Sequence, residues 1–274
     1  MQLALCPLFS SSSGNSVYVS IGGVRLLVDA GVTASRIEAN LREIGVDTAS
    51  LDAILVTHDH IDHVRGLAVL CRRYGLPVYA NEGTWQAILS REPGFPMRCA
   101  RTFYTGENFY IGGVNVHPFP IPHDAAEPVG YTFECQGLRC AVATDIGHLD
   151  EAWLSSVAGA QAIVLESNHD VGMVERGAYP QALKRRILGR NGHLCNADCA
   201  SALIELAKKG TQAVFLSHLS ADNNLPELAY NTVCEALERA GYAVGSDVRV
   251  MVSRRDRVSD LLILESDAGD ARGQ

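Results

Sequence analysis

The strongest constraint on this chain is one short run. Thr57-His58-Asp59-His60-Ile61-Asp62-His63 sets three imidazoles and two carboxylates directly behind an apolar stretch, residues 51–56, that reads as a buried strand. So many polar groups cannot enter a core unpartnered, because each would lose its hydration without compensation. A solvated histidine cluster would not sit at the end of a buried strand. Divalent cations are the partners that satisfy imidazole and carboxylate groups together. His58 and His60 alternate by two and can face one side of an extended turn. Asp62 and His63, at the start of the helix that follows, reach a neighbouring point. Two such points suit a pair of metal ions roughly 3.5–4 Å apart.

The surrounding elements alternate. Residues 2–8 read as a strand, 10–16 as a Ser/Gly/Asn loop, and 17–21 and 24–28 as a hairpin about Gly22-Gly23. Residues 34–44 form a helix with Ile37, Leu41 and Ile44 on one face and Gly45 as its stop. A helix over 61–74 ends at Gly75, followed by a strand at 77–80 and a short helix at 82–89. The middle is rich in strands, at 114–118, 129–135 and 138–143. The last third has strands at 162–165, 213–216 and 248–252, and helices at 179–188, 197–208 and 226–240. Asn196 is the expected N-cap of the second of these helices, and 261–264 a closing strand. Two β-rich halves with flanking helices predict an α/β (α+β) chain, with two mixed sheets face to face and helices outside. Residues 1–266 are expected to form one domain and 267–274 a frayed tail.

Composition narrows the class. The chain has 274 residues, 47% hydrophobic and 20% charged, as in an ordinary globular protein. It is long enough to need no disulfide staples. No apolar run approaches the ~20 residues of a membrane span, and residues 1–10 do not read as a secretory signal; a cytoplasmic location is expected. The eight cysteines are scattered without a Cys-x-x-Cys pair, and are expected to be reduced, buried thiols rather than zinc ligands. The formal net charge of -8 speaks against a protein that coats nucleic acid. It does not exclude a nuclease, because bound divalent ions bring positive charge to the point where phosphate sits.

His-x-His-x-Asp-His behind a strand resembles the motif of the metallo-β-lactamase-fold hydrolases, and four further pieces follow in that superfamily's order. Leu27-Val28-Asp29-Ala30-Gly31 looks like its early Asp motif, Ile121-Pro122-His123 like its lone His, Ala143-Thr144-Asp145 like its bridging Asp, and Leu216-Ser217-His218 like its final His. The resemblance implies an αβ/βα four-layer sandwich and two divalent metal ions. One would be held by His58, His60, His123 and Asp145, the other by Asp62, His63, Asp145 and His218. Asp29 is implied to orient the metal loop through hydrogen bonds. Imidazoles suit zinc, while the carboxylates and phosphoryl chemistry permit manganese. Two metals acidify a bridging water, so no side-chain nucleophile is needed. The serines at 10–13 are accordingly read as a loop, or as a wall of hydroxyl and N–H groups suited to phosphate.

Four other blocks are similar to the YycJ-like (WalJ-like) family of bacterial 5′→3′ DNA exonucleases. They are Ser12-Ser13-Gly14-Asn15-Ser16, Glu166-Ser167-Asn168-His169-Asp170, Gly192-His193-Leu194-Cys195-Asn196, and Ser217-His218-Leu219-Ser220 followed by Asn223-Asn224. The likeness covers residues 5–252, with Cys195 where Ser is common. It implies substrate contacts from Ser12, Ser13, Asn15, Asn168, His193 and Asn196, with His193 ahead of a helix N-terminus suited to phosphate. The blocks also resemble the tRNA 3′-processing endonucleases, where a His-Glu pair supplies a proton donor. By that likeness His169 is the general acid, or an extra metal ligand, with Glu166 as its orienting partner, and Asp62 completes the catalytic set. Lys184-Arg185-Arg186 with Arg190, Arg72-Arg73, and Arg254-Arg255 with Arg257 either line a DNA groove or form solvated faces.

The implied activity is that of a dinuclear metal-dependent phosphodiesterase, a 5′→3′ exodeoxyribonuclease that uses a metal-bridging hydroxide on DNA. The alternatives are a small-molecule metallo-hydrolase (a cyclic phosphodiesterase or thioesterase), an RNA-processing endonuclease of the tRNA 3′ type, and a non-catalytic metal-dependent module. The complete ligand set speaks against the last.

Overall fold

Two seven-stranded sheets stack face to face in the computed structural model, which describes residues 1–266; the tail expected at 267–274 lies outside the described residues. The first sheet contains β1 (Gln2–Ser11), β2 (Gly14–Ile21), β3 (Val24–Val28), β4 (Ala53–Leu55), β5 (Val78–Ala80) and β6 (Ala100–Thr102), with β14 (Leu262–Glu265) outside β1. The second runs in spatial order from β7 (Phe109–Ile111) through β8 (Val114–Pro120), β9 (Val129–Cys135), β10 (Leu138–Ala143), β11 (Ala162–Glu166) and β12 (Ala213–Ser217) to β13 (Arg249–Val252). Both sheets follow one pattern. Each makes three antiparallel pairings and then three parallel ones, changing over at β3 and at β10.

The inner faces share one apolar core. Leu5, Val19, Leu26, Val28 and Leu55 of the first sheet meet Val116, Tyr131, Phe133, Val142, Val164 and Phe215 of the second. On the outer face of the first sheet lie α1 (Ala34–Glu43), α3 (Leu67–Tyr74) and α4 (Glu82–Arg91), inserting Ile37 and Leu41, Leu67 and Leu70, and Trp85 and Ile88. The second sheet is covered by α5 (Glu151–Val157), α8 (Asn196–Lys208) and α9 (Pro226–Arg239), through Trp153, Leu203 and Leu206, and Val233 and Leu237. Each fully buried side chain of this kind stabilises the fold by about 1.5–3 kcal/mol. Three short helices, α2 (Ile61–Val64), α6 (Val171–Arg176) and α7 (Gln181–Ile187), lie in the connections. The layers are helix, sheet, sheet, helix, as expected.

Several boundaries differ from the sequence expectation. The expected loop at 10–16 is a tight hairpin: Ser11 pairs with Gly14, and only Ser12 and Ser13 form the turn. Its polar residues can be buried because Asn15 acts as a strand partner. Its Nδ2 donates to Ser11 O and its Oδ1 accepts from Ser11 N. The expected helix over 61–74 breaks between α2 and α3. Ala30 N donates to His63 O, and Gly66 N donates to Ala30 O, so backbone from a distant loop replaces helical bonds. Asn196 is not the N-cap of α8; Cys195 is, and its Sγ accepts from Asp198 N. The short elements α5, α6, β6 and β7 had no counterpart in the sequence reading. All eight cysteines are free, and all but Cys195 are buried. No helix among the described residues is long and apolar enough to cross a membrane.

Candidate metal centre

The C-terminal ends of β3, β4, β10, β11 and β12 meet on one rim. Asp29 follows β3, Thr57 and His58 lie beyond β4, Asp145 lies beyond β10, Glu166 ends β11, and His218 follows β12. Asp29, Asp145 and His218 all have left-handed backbones, with φ of 62°, 60° and 56°. Such a conformation in a residue other than glycine costs about 1–3 kcal/mol and concentrates at functional sites. Two of the three turns are pinned: Asp29 N donates to Leu55 O at 2.8 Å, and His218 N donates to Ser10 Oγ at 2.6 Å.

The metal loop is held from beneath. Asp29 Oδ1 accepts from Thr57 N and Oδ2 from Thr57 Oγ1, both at 2.8 Å, while His63 Nδ1 donates to Oδ2 at 2.8 Å. Gly31 makes room for α2. A Cβ there would lie 1.6 Å from Asp62 O, so no side chain fits. The expected supporting role of Asp29 thus has a direct geometry.

Three overlapping groups bring ligand atoms within 4.8 Å of one another: His58, His60 and His123; His58, His63 and Asp145; and Asp145, Glu166, His193 and His218. Asp145 links them. Its carboxylate lies 3.3 Å from His63 Nε2, 3.2 Å from His218 Nδ1 and 3.7 Å from His123 Nε2. Asp62 stands at the margin, its Oδ2 3.7 Å from His63 Nε2. His58 Nε2, Asp145 Oδ2 and His218 Nε2 are buried and have no hydrogen-bond partner. Buried polar atoms are nearly always paired. Unpaired imidazole and carboxylate atoms gathered at one point are what a divalent cation satisfies, so the residues fit metal ions.

Charge among the side chains of the cluster is strongly polarised. Burial, aided by the neighbouring His63 charge, holds the His58 ring well below its usual value, in the neutral form that ligates. Burial also opposes charge on His63, but Asp29 and Asp145 prevail and lift it to about 10. Burial works against His218 in the same way, and Asp145 and Glu166 lift it to about 9. Burial would raise the two carboxylates; His193 instead brings Glu166 down to about 2, and His218 and His63 carry Asp145 well below its usual range.

The structure redistributes the remaining predicted residues. Glu166 does not orient His169. Its Oε1 accepts from His193 Nδ1 at 2.8 Å and faces His218 Nδ1 at 2.9 Å, and its Oε2 accepts from Ile146 N and Leu194 N. His169 is buried, and that burial lowers its affinity for a proton, which suits a general acid poorly. Asn15 reaches the cluster, with Nδ2 3.0 Å from His63 Nε2. Ser12 and Ser13 form the exposed tip of the hairpin. Asn168 and Asn196 face inward instead of toward a ligand. Asn168 Nδ2 donates to His218 O, and Asn196 is locked between Ser167 and Asn224. Two features escaped the sequence reading. One is the pairing of Glu166 with His193, 27 residues later. The other is Arg91, which stands in no basic run yet lines the cleft with His60, Ile61, Asp62 and Arg186.

Comparison with known proteins gives four likenesses. The family model described as a Beta-lactamase superfamily domain matches residues 24–219. The exodeoxyribonuclease YycJ of Bacillus anthracis is 42% identical over 245 residues, 89% of this chain and 93% of that protein. The exodeoxyribonuclease WalJ of Streptococcus pneumoniae serotype 2 (strain D39 / NCTC 7466) is 38% identical over 256 residues, 93% and 95% of the two chains. Among solved structures, the metallo-beta-lactamase fold protein YhfI from Bacillus subtilis superposes with a TM-score of 0.68 at 12% identity, over 94% of this chain and 99% of that one, a likeness of fold.

Proposed function

Because the chain belongs to the beta-lactamase superfamily and, within it, to the family of the exodeoxyribonucleases YycJ and WalJ, we propose that it is a metal-dependent exodeoxyribonuclease working from the 5′ end of DNA. The observation that carries this reading is the gathering of His58, His60, His63, His123, Asp145 and His218 in overlapping groups of ligand atoms, with three of those residues' polar atoms unpaired. When bound, two divalent ions, zinc or manganese, would neutralise phosphoryl oxygens and acidify a water molecule. His58, His60 and His123 would hold one ion, Asp62, His63 and His218 the other, and Asp145 both.

The chain's own groups supply orientation and a proton. His63 and His218 are each steered by a carboxylate on Nδ1, Asp29 and Glu166 respectively, which leaves Nε2 for ligation. His123 is steered by Gly192 O, 3.1 Å from its Nδ1. His193, 18% exposed beside Asp145, donates its Nδ1 proton to Glu166. Its Nε2 can then carry the proton that the departing 3′ oxygen requires. We therefore assign the general acid to His193 with Glu166 rather than to His169.

His193→Ala is expected to slow cleavage of DNA by about 10²–10⁴-fold. The loss should shrink on bis(p-nitrophenyl) phosphate, whose leaving group needs no proton. Equal losses on both substrates would remove His193 from that role. The activity itself is tested by a time course on DNA and RNA oligonucleotides labelled at either end, with Mn²⁺ or Zn²⁺ and an EDTA control. Stepwise release of mononucleotides from the 5′ end of DNA, abolished by EDTA, is the expected result. Intact DNA alongside turnover of small phosphodiesters or thioesters would point to a small-molecule hydrolase instead.

A further inference from the structure

An open cleft of about 500 Å³ is lined by His60 and Asp62 of the candidate metal centre together with Ile61, Arg91 and Arg186. We propose that Arg91 and Arg186 form a clamp for the backbone phosphates on either side of the scissile bond of a DNA strand. The proposal rests on the nuclease reading above and adds to it the groups that set the strand's register.

Both arginines are anchored on the chain neighbours of candidate ligands. Arg91 donates through Nη1 to Asp59 O and through Nη2 to Asp59 Oδ2, and Asp59 lies between His58 and His60. Arg186 donates through Nε and Nη2 to the two carboxylate oxygens of Asp124, at 2.6 and 3.1 Å, and Asp124 follows His123. One residue of backbone therefore fixes each guanidinium relative to the cluster. Each keeps N–H groups beyond those two, out of the five that a guanidinium offers, and the side chains are 52% and 54% exposed.

Arg186 with Asp124 is a pair of exposed side chains set apart by its two parallel bonds, whereas the Arg91 pair differs from an ordinary surface ion pair in burial as well. Arg239 with Glu235, or Lys208 with Glu205, join two exposed side chains, the kind of pair that contributes little. Asp59 is buried, and its second oxygen is already held by Ala126 N at 3.0 Å. Such a carboxylate positions its arginine rather than merely neutralising it. A planar guanidinium fork also matches phosphate oxygens better than an ammonium does. Four of the eight other cations in the basic runs are engaged elsewhere. Arg72 pairs with Glu92, Arg73 with Glu38 and Arg254 with Asp260, and Lys184 Nζ donates to Glu175 O. Asp59 and Asp124 offset the charge of the two arginines, so what they offer a phosphate is the direction of their remaining N–H groups.

The test compares two substrates in the metal-loaded full chain. For Arg91→Ala and Arg186→Ala, kcat/KM on an end-labelled DNA oligonucleotide should fall about tenfold more than on bis(p-nitrophenyl) phosphate, which has no flanking phosphates. The change should lie mainly in KM, and each variant should flatten the slope of log kcat/KM against log salt by about 0.7. Arg239→Ala, outside the cleft, should behave as wild type. Arg91→Lys and Arg186→Lys keep the charge and lose the fork; a raised KM with the wild-type salt slope is expected of them, and this arm covers any alanine variant that fails to fold. Equal losses on both substrates, or a wild-type KM and salt slope in the variants, would overturn the clamp. If wild-type protein digests DNA while the variants match it, the clamp alone fails. If wild-type protein leaves DNA intact, the nuclease reading fails and the clamp with it.

Discussion

Asp145→Asn should lower DNA hydrolysis by roughly three orders of magnitude or more while leaving the fold in place. The carboxylate is buried at the meeting point of four imidazoles, within 3.2–3.8 Å of His63, His123, His193 and His218. Its Oδ2 has no hydrogen-bond partner of its own. Asn keeps the shape, and it tolerates the left-handed φ of 60° that a β-branched or bulky residue would not. A loss of turnover with an unchanged circular-dichroism spectrum and a reduced metal content would thus report the missing charge and not a collapsed loop. His58→Ala removes the ring shared by two of the ligand groups and should be equally silent. Normal turnover in either variant would break the assignment of the centre.

Removing Asp29 should act through metal affinity and stability together. Asp29→Ala strips acceptors from Thr57 N, Thr57 Oγ1 and His63 Nδ1 at once. Breaking a buried charged pair costs about 3–5 kcal/mol, and losing the partner that orients a ligand typically weakens metal binding about 10–100-fold. The pH dependence has a definite sign in EDTA-treated protein. His63 is raised from 6.5 to about 10, against its burial, by Asp29 and Asp145. Its contribution to stability is therefore complete below pH 6.5 and is lost as the pH rises through about 10. The gap in melting temperature between wild type and Asp29→Ala should narrow over that window; a gap that widens toward alkaline pH contradicts the pairing.

What could be read from the sequence was whatever local spacing encodes. The period-two alternation of His58 and His60 behind a buried strand announced the centre, and Gly45 and Gly75 marked helix ends because a positive φ is needed there. What stayed hidden depends on partners far along the chain. The polar stretch around Ser11 looked like a loop because nothing local shows that Asn15 closes the hairpin from within. The break before α3 is imposed by Ala30, 36 residues before Gly66. Glu166 stood beside His169 in sequence, yet the sheet turns its carboxylate toward His193 and His218. Asn168 and Asn196 carried the look of ligand-binding residues and instead brace one another's loops through Ser167 and Asn224. Basic runs drew attention by number, whereas isolated Arg91 reaches the cleft by its place at the end of α4.

The centre straddles the seam between the two sheets. His58, His60 and His63 follow a strand of the first sheet, His123, Asp145 and His218 follow strands of the second, and the turn at His218 is clipped by Ser10, 208 residues earlier. Neither sheet can hold a preformed site, so its assembly belongs to the last, slowest stage of folding, when the most distant contacts close. A ribosome must release β12 and the turn after it before the first three histidines gain their counterparts. A truncated chain with β1 to β6 in place would still be chemically inert, and one that opens along the seam would lose its catalytic power before its secondary structure.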